Sequence, residues 1–296
     1  MSASQTQRDE GSLTQERAYW ASDAFGWLCA GATLICVAAL AWLIITVFVD
    51  GWAWIRPGLF TDIPSRKPEM AGICTALAGS LWLIGLTALI SVPIGVGAAV
   101  FLEEYSSNTW WRRLIQLNIA NLAGVPSIVY GILGLGLFVR ALALERSVLA
   151  GALTLTLVVL PIIILATQEA LRAVPSTIRQ ASYALGATRW QTVSRQVLPA
   201  ALPGVMTGVI LAIARALGEA APLVVVGAVS FIAFVPQSLG DEFTALPLQI
   251  YDWASRPQKE FHGLASAAII VLLGVLVLMN AGAVFVRSRY GRKIKW

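Results

Sequence analysis

Five stretches of this chain run for 22 residues or more without one Asp, Glu, Lys or Arg: 24–49, 70–102, 114–139, 147–168 and 261–286. Each reaches the roughly 20 residues that an α-helix needs to cross the hydrocarbon core of a bilayer. A water-soluble fold cannot hide five such segments and stay dissolved. Composition agrees, since only 12% of the 296 residues are charged, about half the usual 25%. In lipid a helix satisfies its backbone polar groups internally, so the chain reads as an all-α membrane protein.

A sixth apolar block, 196–240, is interrupted by Arg215 and Glu219, leaving neutral arms of 19 and 21 residues. The residues between the two charges, Ala216-Leu217-Gly218, are helix formers with a single turn residue, so a hairpin there is disfavoured. One span plus an extension gives six transmembrane helices and puts both termini on one face. That face then carries 13 of the 21 Lys and Arg residues and the other carries seven, with Arg215 between them. By the positive-inside rule the basic face is cytoplasmic, so the expected topology is N-in and C-in.

The spans are expected at about 24–49, 72–102, 114–139, 148–168, 200–233 and 263–287. Residues 1–22 are polar and expected to be a disordered cytoplasmic tail, and 291–296 a short basic one. The first apolar run is too long for the core of a cleaved signal peptide and is expected to remain as the first helix.

Cys29, Cys36 and Cys74 all lie in apolar runs, and His262 has no companion. A disulfide framework, a zinc site and a charge-relay triad therefore lack partners. No catalytic or metal-binding residue is assigned, and no cofactor on this chain. The net charge of +5 comes from cations scattered between apolar runs, which suits membrane lipid and excludes nucleic acid as a partner.

The loop 169–199 is the longest on the basic face. Thr177-x-x-Gln180 and Thr188-x-x-Gln191 are capping-box patterns, with Gly186 between them as a helix stop. Pro175 and Pro199 bracket the pair. The spacing predicts helix, glycine turn, helix at the membrane surface over 176–195. Ile178, Ala181 and Leu185 form an apolar face, which serves equally a helix resting on headgroups or one docking a soluble partner.

Arg215 and Glu219 are the only charges within the apolar blocks. An arginine at a helix centre costs about 2.5–3.5 kcal/mol on insertion scales, and ionisable residues at that depth are functional by default. At about 100° per residue, Gly204, Gly208, Ala212, Arg215 and Glu219 share one face, and small residues mark close helix contacts in lipid. An architectural salt bridge and an ion pathway both fit. Asn118, Asn121, Ser127 and Tyr130 surround a Gly124-Val125-Pro126 break in the third span; Asn121 is a further pathway candidate, with interhelical hydrogen bonding the alternative.

The segment Gln180-Ala181-Ser182-Tyr183-Ala184-Leu185-Gly186, followed by Leu198-Pro199, resembles the EAA loop of bacterial ABC-importer permeases. The family's Glu is Gln180 here, its second Ala is Ser182 and its Ile is Gln196. Stretches 118–139, 179–222 (with RALGEAAP) and 244–257 (TALPLQIYDWASRP) are similar to the phosphate-specific, PstA-type branch. This resemblance implies a type I ABC-importer permease fold. It also implies a coupling loop in which Gln180, Ala181, Tyr183, Gly186, Leu198 and Pro199 face a separate ATPase, and phosphate binding by Arg215 with Glu219 as its resting partner.

No Gly-Lys-[Ser/Thr] phosphate loop exists in the chain, since its four lysines follow Arg, Gln, Arg and Ile. ATP and Mg are therefore expected on a separate chain, which the resemblance implies is a dimer of ATP-binding subunits. The remaining implied partners are a second permease subunit and an extracytoplasmic phosphate-binding protein. The alternatives are a permease for another oxyanion, sulfate or molybdate, and a stand-alone secondary transporter, which would need no docking loop.

Overall fold

The computed structural model describes residues 3–107, 109–228 and 231–291, with side-chain surroundings for 25–107, 109–228 and 231–289. It forms two units, 1–50 and 51–296. Helix α1 spans Ala3–Trp52, and its apolar part is Phe25–Trp52. It takes in most of the 1–22 stretch expected to be disordered, which is rich in the helix formers Gln, Glu and Arg. The basic tail expected at 291–296 lies, apart from Gly291, outside the described residues.

In the second unit a short helix, α2 (Pro57–Thr61), precedes α3 (Cys74–Tyr105). Next come α4 (Trp110–Ala123) and α5 (Ser127–Ala141), which form a pair bent by 103°. Helix α6 is Val148–Arg172, α7 Ser176–Ala184, α8 Arg189–Gly218 and α9 Ala221–Val226. Two more helices, α10 (Leu246–Ala254) and α11 (Lys259–Gly291), complete the described chain. Among the described residues five helices are long and apolar enough to cross a membrane, and the bent pair makes six if counted as one span.

Helix α6 is the centre of the second unit. Two thirds of its apolar window (67%) is buried, against 28% for α3 and for α8, which pack on either side of it. Val159 and Ile163 of α6 form a core with Ala212 and Ala216 of α8. The contact is close because a Cβ on Gly204 would lie 2.8 Å from that of Ala170, and one on Gly208 would overlap that of Ala166. The small-residue stripe expected on the fifth span is therefore a helix–helix seam. At the far end of the bundle Leu59, Ile73, Leu246, Trp253, Phe261 and Leu264 make a second core, so the 244–257 segment folds as a buried short helix.

One expected span breaks where Gly124-Val125-Pro126 predicts, and another needs correction. The third is not straight: Pro126 cannot continue the helix of α4, and after Gly124 the chain turns before α5 begins. The Tyr130 hydroxyl donates to the Leu122 carbonyl at 2.7 Å, pairing an oxygen left over by the break.

The fifth span, expected at 200–233, runs from Arg189 to Gly218. Pro199 does not stop it because Val193–Val197 is a π turn, in which the Leu198 N–H reaches the Val193 carbonyl; the ladder is already displaced where the proline lacks its donor. It ends at Gly218 because Pro222 has no N–H to offer the Gly218 carbonyl, and Glu219 is extended.

Candidate functional site

Two groups of residues singled out by sequence lie in different parts of the bundle. The first is the loop after α6. Thr188 forms its capping box in full: its hydroxyl accepts from Gln191 N at 3.3 Å, and the Gln191 side chain accepts from Thr188 N at 2.9 Å. The other expected box does not form. Pro175 takes the N-cap position of α7 and leaves Thr177 inside the helix, with the Pro175 carbonyl accepting from Ile178 N.

Gly186 makes the turn with φ +78°, a left-handed conformation that costs glycine nothing. The hydroxyls of Ser182 and Thr192 are 2.8 Å apart and pin α7 against the start of α8. The expected helix, turn, helix is therefore present, but its second helix is the beginning of a membrane span.

The apolar face of α7 divides. Ile178 packs toward Leu171, Val174, Val197 and Ala201, whereas Ala181 is exposed and Leu185 is 89% exposed. Gln180, Tyr183 and Trp190 are exposed beside them. Ile178, Ala181, Ser182, Leu185, Gln191 and Arg195 line an open groove of about 530 Å³. Leu198 and Pro199 are half-buried within α8 and do not join this surface.

Sequence reasoning passed over what holds the loop in place. Glu104 is 7% exposed and receives the Arg179 guanidinium at 2.6 Å from Nη2 and 3.1 Å from Nε. The same arginine donates to the carbonyls of Leu171 (2.9 Å), in the last turn of α6, and Val174 (2.8 Å), just past it. Glu103 takes a two-pronged contact from Arg172 (3.0 and 3.1 Å) and a third from Arg112 at 3.2 Å. The only signal in the sequence was the pair Glu103-Glu104 directly after a 33-residue neutral run.

The second group is at the other end of α8. Arg215 lies in its last turn and Glu219 caps it, with Nε to Oε1 at 3.3 Å. Their side chains are 54% and 18% exposed, while Ala212 and Ala216 beside them are buried against α6. The pair thus sits at the margin of the seam, with most of the guanidinium's donors free of Glu219. A cation at a helix C-terminus is also favoured by the macrodipole.

Past Glu219, α9 packs on α5: a Cβ on Gly131 would lie 2.8 Å from Pro222 Cα. The breaks in the third and fifth spans are joined through this contact. Asn121 is exposed three residues before the bend, and its backbone carbonyl accepts from Gly124 N. The Asn118 side chain donates to the Leu114 carbonyl, and Tyr130 serves the break, so these two are engaged locally.

A central helix flanked by two others, a short helix at one end and two broken spans make up the type I ABC-importer permease fold. The fold matches a structure of the MetNI methionine ABC transporter in inward-facing conformations, with a TM-score of 0.61 and 19% identity over 76% of this chain and 99% of that one. Residues 91–292 match the family described as binding-protein-dependent transport system inner membrane component, and the chain belongs to that family.

Among its relatives is the phosphate transport system permease protein PstA 1 of Mycobacterium tuberculosis (strain CDC 1551 / Oshkosh), 35% identical over 86% of this chain and 84% of that protein. The phosphate transport system permease protein PstA of Mycobacterium leprae (strain TN) is 36% identical over 86% of each.

Proposed function

We propose that this chain is the membrane-spanning permease subunit of an ATP-driven phosphate importer in a bacterial inner membrane. In this reading it forms half of the translocation path and meets a separate ATPase through residues 176–195. The observation that carries it is Arg215, a guanidinium within an apolar span whose one ion-pair partner is a single long contact, in a chain whose relatives are phosphate permeases. Guanidinium presents a forked donor set that suits phosphate oxygens. Glu219 holds Arg215 while the path is empty and yields it as phosphate arrives, which keeps the anion from being trapped. Asn121 lies near the bend of the neighbouring broken span and offers an amide to the same path.

The exposed apolar residues Ala181, Leu185 and Trp190, with Gln180 and Tyr183, supply the surface for the ATPase, since an apolar patch in a polar loop favours a protein partner. The groove beside them supports docking of a protein over lying flat on headgroups. The 13-to-seven division of cations puts this loop and both termini in the cytoplasm. The partners are a second permease subunit, two ATP-binding subunits that carry ATP and Mg, and an extracytoplasmic phosphate-binding protein. This chain itself holds no cofactor.

The complete complex, reconstituted in vesicles, tests the reading. Phosphate-loaded binding protein is expected to stimulate ATP hydrolysis and phosphate uptake together. Equal stimulation by sulfate or molybdate would replace the substrate, and uptake by this chain alone without ATP would end the importer reading.

A further inference from the structure

Three consecutive residues at the end of α3 collect four arginines from four elements. Glu103 holds Arg112 of α4 and Arg172 of α6, Glu104 holds Arg179 of α7, and the Tyr105 ring has the Arg189 guanidinium of α8 over it at 5.6 Å. Helix α7 has few other ties besides the Ser182–Thr192 hydroxyl contact with the start of α8. It is nine residues long, none of them buried, and Ile178 is its one large apolar contact with the bundle. Arg179 is half-buried, as are Ile178 and Ser182, and its guanidinium is divided between Glu104 and the carbonyls of Leu171 and Val174. Any displacement of α7 must therefore move α3 and α6 with it or pull a buried carboxylate out of its only ion pair among the described residues.

We propose that Glu104 and Arg179 are a positioning pair that transmits the movement of α7 to spans α3 and α6, so that ATP hydrolysis is converted into phosphate movement. This rests on the reading of 176–195 as the ATPase-coupling loop. The chemistry favours a rigid joint. A planar guanidinium with five donors, meeting one carboxylate and two carbonyls in fixed directions, resists rotation as a lysine ammonium would not. The neighbouring Glu103 fork ties α6 and α4 to the same point, so the joint has a stiff base. On the other side of α7 the Gly186 turn and the Ser182–Thr192 hydroxyl contact join it to α8.

The test is the amount of phosphate moved per ATP by the reconstituted complex, measured for Glu104→Gln, Arg179→Gln and the double variant. Both single variants are expected to bind the ATPase and hydrolyse ATP, with the ratio falling about tenfold, within the usual range of coupling between sites. The double variant should be no worse than either single one, because both remove the same link. Arg179→Lys, which keeps the charge and loses the fork, should fall between.

A normal ratio in assembled Glu104→Gln complexes, or losses that multiply in the double variant, would overturn the proposal. If neither Gln variant assembles, Arg179→Lys decides by the same ratio. Failure of the underlying reading looks different: the unsubstituted complex would show no phosphate-stimulated hydrolysis, or Leu185→Glu would leave ATPase binding intact.

Discussion

The two charge clusters are built in opposite ways. At the α3 end, Glu104 is enclosed, its arginine partner is bound at five donor–acceptor contacts, and the adjacent Glu103 holds two more arginines. At the α8 end, Arg215 touches Glu219 once at 3.3 Å and is more than half exposed. Buried pairs are costly to break because an unpaired charge is left in a low dielectric, whereas exposed i,i+4 pairs contribute only tenths of a kcal/mol. The first cluster is suited to holding, and the second to letting go. In the proposed reading the first carries mechanical load and the second releases an anion.

The contrast can be broken by substitution. Glu104→Gln is expected to lower the stability of the folded permease by about 3 kcal/mol, since Arg179 is left without its carboxylate; thermal unfolding in detergent measures it. Arg215→Lys should leave unfolding within about 0.5 kcal/mol, as surface changes do, but reduce phosphate uptake about tenfold through loss of one charge-assisted hydrogen bond.

A smaller effect is expected at the cap. Thr188→Ala should cost about 1 kcal/mol and appear as faster amide exchange over 188–192, where the box closes the start of α8.

The smallest effect concerns the loop before α10. Asp241 is held below its ordinary carboxylate pKa by the Ser238 hydroxyl, then by the backbone N–H groups of Gln237 and Ser238. Its folded pKa is depressed, so its contribution to the turn is present above the unfolded value and lost as pH falls through the folded one. A titration followed by carboxylate infrared absorption should find the turn intact through the range in which free aspartate protonates, and loosened only below it.

The spans could be read from the chain because neutral runs and bilayer thickness are both one-dimensional quantities. The break at Gly124-Val125-Pro126 and the Thr188 box were equally legible, each resting on residues within four positions. The 103° bend was not, because its direction depends on how α5 packs against α9. Nor was the true start of the fifth span: Pro199 reads as a stop unless the π turn before it is known. The Glu103-Glu104 cluster was invisible for a different reason. Arg172 and Arg179 lie 69 and 75 residues from their carboxylates, and no local pattern marks which of many loop arginines will meet which carboxylate.

The proposed anion-binding role of Arg215 is tested most directly by Arg215→Gln in the complete complex, with uptake and thermal unfolding read on the same preparation. It predicts normal assembly and unaltered unfolding, with phosphate uptake reduced about 10- to 100-fold, the worth of one charge-assisted hydrogen bond or more. An assembled complex that takes up phosphate at the unsubstituted rate, or one that loses stability while keeping uptake, would contradict it, because Arg215 would then hold the fold together instead of meeting the anion.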